Sequence, residues 1–552
     1  MNLKVPFTPR QKAAKGAGSH CRRFIRDFYA NAAVIAFLSA LPAHAAPDDL
    51  VPRSSGFYDA LAILATDHDL APGAPDAVDL LSPSSPLRTR AEFAILVNGV
   101  TGSVGDARAR AALGFLRSGL AGDIGSGPNT QRIRQPDPAL SALAVSGNVI
   151  AEAGERREGS HDTLTDLYGE GRVLGANGRF SYTASVSNAG RFRRDHGAYA
   201  TSAPGQDRGD RPDALNGLQE GYVSYLGRHD LRITTGWLQE RWGSGYRGNM
   251  LINDNTPPRP TVQIEFPFSL GAKFGRNNHF LQYQQVYSNA GHTVTMGARR
   301  IEHPVGDRVD LSIEEAYVAK RLRNPSALIL PFYAYQKVSI HEKNNPNAEP
   351  AEFNYTANLG LTVRPRPSDP FQRFYLQFAL DDLQAPKGLG VGNRTPRKIG
   401  YLIGAAGRLK STGTDGVIEY MHADVNTYTK NQVGVESLGW FYDGLPLGHP
   451  SGPNGNEIFV RLGQKLGART YLSLEARRRA RVSDDFPSPE LRSIDAAVTY
   501  HLNSTSSVGL RYFDFSEDPL IAPGVDPYFP GGDNYGSRIR RKVAAVDYQI
   551  FF

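Results

Sequence analysis

Apolar and polar residues alternate along most of the chain, from about residue 143 to the C-terminus. In the clearest run, apolar residues occupy every second position and mostly polar residues lie between them: Ile494, Ala496, Val498, Tyr500 and Leu502 against Ser493, Asp495, Ala497, Thr499 and His501. A period of two is typical of a β-strand with one apolar face. Many such runs predict an all-β fold, a transmembrane antiparallel outer-membrane β-barrel of roughly 16 to 18 strands around a wet lumen.

The connections between these runs agree with hairpins. Asn177-Gly178 is the residue pair of a tight turn, and the segment 228–230 joins two further alternating runs. The longer connections are rich in Gly, Pro, Asp and Asn, and we expect them to be outer loops: 190–213, 341–350, 382–396, 443–454 and 516–538. The chain ends on Phe552, which resembles the terminal aromatic signal of bacterial outer-membrane proteins. A soluble propeller or sandwich, the structural alternative, explains neither this ending nor the alternating charged residues.

Residues 46–140 follow a different pattern. Apolar residues in their first part are spaced as on one face of a helix: Phe57, Ala60, Leu61, Ile63 and Leu64. A second helix is predicted from Thr89, a natural N-cap, because Glu92 three residues later completes a capping box. This segment is therefore predicted to be a small α-helical module with a linker, followed by the barrel at 141–552.

The residues from Thr89 to Glu92 are Thr-Arg-Ala-Glu. They resemble the most specific part of an S-layer homology (SLH) repeat, and the similarity covers about residues 50–100. The resemblance implies that the module binds peptidoglycan or a linked wall polymer in the periplasm, with Arg90 contacting the anionic ligand beside Thr89 and Glu92. The alternative is a helical plug or spacer in which the Arg–Glu pair only caps a helix.

The first 45 residues have the features of a cleaved signal peptide. A basic segment that ends at Arg26 is followed by an apolar stretch at 32–41 and by Ala-His-Ala at 43–45, which matches an A-x-A cleavage site. With the barrel pattern, this leader predicts the outer membrane of a Gram-negative bacterium as the location.

Charge and cysteine content exclude two classes of function. The leader contains seven Lys and Arg residues and one acid, so its removal lowers the net charge from +7 to about +1. A basic surface for nucleic acid is therefore not indicated. The one cysteine, Cys21, lies in the leader, so the exported chain is predicted to have neither disulfides nor thiolate chemistry.

One stretch fits neither a core nor an ordinary turn: residues 240–260, ERWGSGYRGNMLINDNTPPRP. It combines aromatic rings, which cover sugar faces, with amides and guanidinium groups, which bind hydroxyls. The candidate polysaccharide-binding residues in it are Arg241, Trp242, Tyr246, Arg247, Asn253, Asn255 and Arg259. The alternative is a structured hairpin whose glycines and prolines shape a loop that occludes the lumen.

The longer run at 236–266 resembles the most recognisable segment of the Wzi family, outer-membrane barrels that hold capsular polysaccharide on the cell surface. Residues 220–224 and 447–454 agree with this resemblance, and the second of these adds His449 to the candidate sugar-binding residues. The chain departs from the family motif in having Trp242 alone instead of two adjacent tryptophans. The resemblance implies a barrel that binds surface polysaccharide and takes part in capsule or exopolysaccharide assembly or attachment.

Other functions are compatible with parts of the sequence. No hydrolase, metalloprotease or nucleotide-binding motif is present, so we predict a protein that is not an enzyme and uses no cofactor or metal. Charged lumen positions such as Arg461, Arg477 and Arg479 are compatible with a carbohydrate-selective or general porin anchored to peptidoglycan by the SLH-like module. A third hypothesis makes the barrel an envelope tether. The predicted partners are capsular or extracellular polysaccharide, outer-membrane lipid and, through the module, peptidoglycan.

Overall fold

A computed structural model of the chain describes a few residues before 140, namely 50–51, 64, 88–89, 97, 100, 110, 113–114 and 116–117. Beyond that point it describes the strands and parts of their connections: 143–155, 161–177, 180–193, 217–227, 231–238, 240–253, 259–268, 278–289, 292–305, 308–320, 353–365, 369–381, 398–409, 412, 414–424, 427, 441–442, 445–466, 469–482, 490–502, 506–518 and 539–551. The predicted signal peptide lies outside these residues.

The described N-terminal residues belong to a short ladder and to helices. Strand β1 (Leu50–Val51) pairs antiparallel with β2 (Arg88–Thr89). Five described apolar residues in or near helical turns are buried: Leu64, Val97, Val100, Leu113 and Leu116. Arg90 and Glu92 lie outside the described residues, so the SLH-like module and its wall-polymer site stay predictions. No helix in the described part of the chain is long and apolar enough to cross a membrane.

Eighteen described strands form one closed antiparallel barrel, in which the last strand pairs with the first. The bounds of these strands are β3 (Leu143–Glu155), β4 (His161–Asn177), β5 (Phe180–Arg193), β6 (Gly217–Leu226), β7 (Arg232–Leu238), β8 (Arg259–Phe268), β9 (Asn278–Asn289), β10 (His292–Val305), β11 (Val309–Lys320), β12 (Phe353–Val363), β13 (Phe371–Asp381), β14 (Ile399–Leu409), β15 (Thr414–Ala423), β18 (Gly455–Leu466), β19 (Thr470–Arg481), β20 (Glu490–His501), β21 (Ser506–Asp518) and β22 (Ile539–Phe551). The short strands β16 (Phe441–Tyr442) and β17 (Leu445–Pro446) pair with each other between β15 and β18. The strand number agrees with the upper limit of the prediction.

The alternation in the sequence becomes the two faces of the barrel wall. Apolar residues on the outer face are exposed, as Phe374 and Leu376 are on β13 and Ile494 is on β20. Their neighbours Tyr375 and Gln377, on the inner face, are buried. A closed barrel satisfies the backbone hydrogen bonds within its own wall, so the outer side chains can face lipid. The predicted faces of these strands are confirmed.

The two ends of the barrel differ in the length of their connections. The six longest connections emerge at the same end, which we call the loop end: 194–216, 239–258, 321–352, 382–398, 424–454 and 519–538. We call the opposite end the turn end. In outer-membrane barrels the short turns are periplasmic and the long loops extracellular. Two predicted outer loops begin later than expected, because β5 continues to Arg193 and β21 to Asp518.

Two predicted hairpins are present at the turn end. Asn177 ends β4 and is the register partner of Phe180, which begins β5, so the two strands pair up to the position of the predicted tight turn. The N–H of Gly227 donates to the carbonyl of Leu231 at 2.6 Å and closes the connection between β6 and β7. On its other side β7 pairs with β8, and the candidate sugar-binding stretch is the connection between those two strands at the loop end.

Candidate functional site in the barrel lumen

The stretch predicted to bind sugar folds from the loop end back into the barrel. We call residues 240–253 the lumen loop. Its apolar side chains are buried, with Trp242 only 1% exposed and Met250, Leu251 and Ile252 fully buried. They form one cluster with inward-facing residues of β10, β11, β13, β14 and β15: Met296, Ala298, Ala316, Val318, Tyr375, Ala379, Leu402, Met421 and Ala423. The loop therefore fills the lumen on the β10–β15 side.

The carboxylate of Glu419 on β15 holds the middle of the lumen loop. It accepts hydrogen bonds from the backbone N–H groups of Tyr246 and Arg247, the latter at 2.6 Å, and from the hydroxyl of Tyr375 at 2.7 Å. Successive backbone N–H groups that converge on one point form an anion-binding nest. Here the anion belongs to the protein itself, so the nest is filled and the loop is fixed to the barrel wall.

An amide pair fixes the rest of the lumen loop. Oε1 of Gln377 on β13 accepts from the Met250 N–H at 2.8 Å, and Nε2 of Gln377 donates to Oδ1 of Asn249 at 2.7 Å. The same Oδ1 accepts from the Gly245 N–H at 3.0 Å. Gly243 passes beside these amides with φ of 118°, and a Cβ there would lie 2.5 Å from Oδ1 of Asn249. Glycine alone fits both the backbone angle and the space.

Arg241 and Trp242 close the lumen loop upon itself. Nη2 of Arg241 donates to the carbonyls of Gly245 at 3.0 Å and of Tyr246 at 2.7 Å. The backbone N–H of Trp242 donates to the carbonyl of Ile252 at 3.0 Å. The guanidinium group thus binds the backbone of its own loop, and the loop has a defined shape before any ligand arrives.

A second loop packs against the first. Residues 445–454, which we call the His449 loop, were expected in an outer loop, but they lie largely buried against the lumen loop. The Asn253 N–H donates to the carbonyl of Leu447 at 2.7 Å, and Nε of Arg247 lies 3.8 Å from Oε1 of Glu457 on β18. Gly248 passes so close to the His449 loop that a Cβ on it would collide with Cδ of Pro450. Two of the three stretches in which the sequence resembles the Wzi family, 236–266 and 447–454, therefore meet in the lumen.

His449 is neutral in this setting. It is 1% exposed, and the N–H of Ser451 donates to its Nδ1 at 3.2 Å, so the remaining ring proton lies on Nε2. Burial lowers the pKa of His449 to about 3, against the opposing effect of the Glu457 carboxylate. Protonation would put a charge among buried groups, so the loop packing favours neutral pH.

Tyr246 joins the lumen loop to β18. Its ring stacks on Phe459 of β18, with centroids 5.7 Å apart, and Cζ of Arg461 lies 5.6 Å from the ring centroid. Burial raises the pKa of the Tyr246 hydroxyl, which therefore stays protonated. Arg461 in turn binds Asp415 and donates to the hydroxyl of Tyr471 at 2.7 Å.

The inner faces of β19, β20 and β21 are more open. Nε of Arg511 donates to both carboxylate oxygens of Asp495, at 2.7 and 2.9 Å, and Nε of Arg477 donates to Oγ of Ser493 at 3.2 Å. Phe513 lies on the same face of β21 as Arg511. These side chains are half-buried rather than buried. We call these inner faces the open wall; it combines charged groups and aromatic rings.

Most of the predicted sugar-binding residues come together, but they are packed. Six of the eight lie in the two lumen-filling loops: Arg241, Trp242, Tyr246, Arg247, Asn253 and His449. Arg259 begins β8 and is fully buried, and Asn255 lies outside the described residues. A sugar stacks on an exposed ring face, and the Trp242 and Tyr246 rings are covered by protein. Among the described residues, no three His, Cys, Asp or Glu side chains are grouped to hold a metal ion.

The sequence did not identify the residues that hold the loop, above all Glu419 and Gln377. Their inward position is readable from the alternation on β13 and β15. Their role in holding the loop cannot be inferred in this way, because Glu419 stands 173 positions after Tyr246 in the chain. The signal in the sequence was a carboxylate at an inward-facing strand position. A carboxylate buried there needs hydrogen-bond donors from another part of the chain.

A closed barrel of eighteen strands with an apolar exterior is the fold of an outer-membrane β-barrel. No protein-family model matches the chain, and no curated protein matches it. Among solved structures the chain is similar to Wzi, described as an outer-membrane protein involved in group 1 capsule assembly in Escherichia coli and as a carbohydrate-binding β-barrel. The TM-score is 0.56 at 12% identity, over 92% of this chain and 99% of that chain.

Two Pseudomonas aeruginosa structures are also similar. OccK11 (OpdR) has a TM-score of 0.42 at 8% identity over 75% of this chain and 96% of its own. OpdQ has a TM-score of 0.43 at 9% identity over 75% of this chain and 99% of its own. At these identities a likeness concerns the fold, and carbohydrate binding is a property stated for Wzi.

Proposed function

We propose that the protein lies in the outer membrane of a Gram-negative bacterium and binds a surface polysaccharide. It would take part, without enzymatic activity, in the assembly or attachment of a capsule or exopolysaccharide. The observation that carries this proposal is the meeting of the lumen loop and the His449 loop, joined by the 2.7 Å bond from Asn253 to Leu447. The fold similarity to a carbohydrate-binding barrel supports it. Affinity would come from many weak contacts along a polymer.

A substitution that adds one methyl group to the lumen loop tests the role of its contact with the His449 loop. Gly248→Ala places a Cβ against Pro450 and 2.6 Å from Cδ2 of His449, so it pushes the two loops apart. Overpacking of this kind costs ~1–3 kcal/mol, and we expect this cost to fall on the arrangement of the two loops that binds polysaccharide. Binding by the purified protein should therefore fall by a factor of about five or more. The measurement is binding to the surface polysaccharide of the source cells.

Gly416→Ala on β15 is the matched control. Its Cβ would lie 3.5 Å from Cδ2 of Leu462, an ordinary contact, so binding is expected to stay at the wild-type level. Equal binding by both variants would contradict a role for the contact between the two loops. Circular dichroism of each variant verifies that the barrel is folded.

A carbohydrate-selective or general porin is the second candidate, and the open wall favours it. A barrel of this size holds an aqueous lumen unless loops fill it. Packing of the lumen loop against the β10–β15 side favours a closed lumen. Single-channel conductance in planar bilayers separates the candidates: we expect no steady conductance from the wild type, whereas a steadily open pore would support the porin.

A further inference from the structure

Charged residues also lie on the outer face of the barrel, near the loop end. Arg478 on β19 and Arg492 on β20 are direct register partners, and Asp514 on β21 is the partner of Lys542 on β22. Strand alternation puts these four side chains on the same face as the exposed apolar residues of their strands: Leu474, Ile494, Leu510 and Val546. We call the four residues the outer basic patch.

The positive charges of Arg478 and Arg492 repel each other across the paired strands. Like charges directly opposite each other on an antiparallel pair destabilise the sheet. Both arginines are exposed, and neither makes an ion pair within the described ranges. On the far side of the barrel, by contrast, Arg299 on β10 has the carboxylate residue Glu315 as its register partner. An anion between Arg478 and Arg492 would remove the repulsion.

Three of the four patch residues line a groove on the outer face, and a second, mostly apolar groove lies nearer the turn end. A cavity of about 600 Å³ is lined by Arg478, Arg492, Asp514 and Ser516 together with apolar side chains of β18 to β20. The next rows of the outer face toward the turn end line a second groove of about 740 Å³, which is mostly apolar and also includes Thr414, Gln464 and Tyr512; its apolar residues are Leu462, Leu472, Leu474, Ala496, Val498, Leu510 and Val546. An anionic headgroup above and hydrocarbon below is the chemistry of a charged lipid.

We propose that the outer basic patch binds the phosphate headgroup of a membrane lipid in the leaflet at the loop end. The guanidinium groups of Arg478 and Arg492 clamp the phosphate, since their planar forks match its oxygens. Lys542 adds positive charge, and the carboxylate of Asp514 is offset by it. The acyl chains lie along the second, mostly apolar groove. The inference rests on the proposed function only in placing the barrel in a membrane, and it needs no polysaccharide.

The test is native mass spectrometry of the full-length protein in neutral detergent, titrated with dioleoylphosphatidylglycerol. We expect the double variant Arg478→Gln/Arg492→Gln to bind this lipid at least about tenfold more weakly. The Arg478→Lys/Arg492→Lys variant, which keeps charge but not the fork, falls between. The control Arg308→Gln/Arg469→Gln removes two exposed arginines at the turn end and is expected to bind as the wild type does.

Three results would overturn the lipid site. They are unchanged affinity in the Arg478→Gln/Arg492→Gln variant, equally tight binding of phosphate-free dioleoylglycerol, and displacement of the lipid by an equal concentration of inorganic phosphate. The same variant is expected to keep wild-type circular dichroism and wild-type polysaccharide binding. Failure of the lipid site and failure of the proposed function are therefore separate results.

Discussion

Glu419 on the inner face of β15 and the arginine pair on the outer face of β19 and β20 are charged residues on strands of the same barrel, in opposite circumstances. Glu419 is buried and receives three hydrogen-bond donors from the protein. Arg478 and Arg492 are exposed and face each other with the same charge. Inside the barrel, the protein supplies the hydrogen-bond donors to Glu419, and these bonds fix the lumen loop. Outside, the partner has to come from the surroundings.

The largest effect is expected from removing the inner charge. Glu419→Ala leaves two backbone N–H groups and the Tyr375 hydroxyl without an acceptor, which costs at least about 3 kcal/mol because each buried unsatisfied group costs ~1–3 kcal/mol. The measurement is the thermal unfolding temperature followed by circular dichroism. Glu302→Ala is the control, since Glu302 is partly exposed and loses only its ion pair with Arg300, worth ~1 kcal/mol or less. Equal losses in both variants would refute the special role of Glu419.

The next prediction compares Trp242, which is packed inside the barrel, with Trp237, which lies on its outer face. Trp242→Ala opens a cavity in the packed lumen and is expected to destabilise the barrel by ~3–5 kcal/mol. Trp237 is 43% exposed on the outer face of β7, so Trp237→Ala should cost markedly less. Thermal unfolding in one detergent ranks the two variants. A smaller loss for Trp242→Ala than for Trp237→Ala would mean that the lumen loop is not packed as described.

Acid is expected to loosen the contact between the two loops. The pKa of His449 is about 3 in the folded protein and ~6.5 in the unfolded chain, so the folded state binds its proton less readily. The stability that neutral His449 contributes is complete above pH ~6.5 and is lost as the pH falls toward 3. His449→Asn keeps an acceptor for the Ser451 N–H and does not titrate. Unfolding temperatures between pH 7 and 4 should therefore fall less for the variant, and parallel curves would contradict this account.

The smallest effect has the opposite sign. In neutral detergent Arg492→Gln removes the repulsion with Arg478 and should stabilise the barrel by ~0.2–1 kcal/mol. Added dioleoylphosphatidylglycerol should stabilise the wild type more than the variant. Thermal unfolding with and without the lipid measures both quantities. A loss of stability in the absence of lipid would show that Arg492 already has a partner in the protein.

Much of the barrel could be predicted from the sequence because alternation is a local property. The alternation around Ile494 predicts its outward position, and the Asn177-Gly178 pair predicts a hairpin, without reference to distant residues. The alternating runs on both sides of residues 240–260 likewise predict that this stretch connects two strands. The ends of β5 and β21 were less predictable, since residues 190–193 and 516–518 are mostly polar or charged and have the composition of loops.

The candidate site was predicted only in part. A loop that contains Trp242, Tyr246 and Arg247 has the same composition whether its rings cover a sugar or pack against Phe459. The choice depends on whether the loop stays outside the barrel or folds into it. Folding inward depends on Glu419 and Gln377, which are remote in the chain and have no motif to mark them.

The sequence by itself determined the strands, their two faces and the residues that each face presents, because side-chain direction in a strand alternates with every residue. Only the tertiary structure decided which of those residues meet. The pairing of β19 with β20 puts Arg478 opposite Arg492. The inward folding of the lumen loop brings the N–H of Tyr246 to Glu419. Both results depend on the register of strands and on loops that cross the lumen, and these are set by contacts between distant parts of the chain.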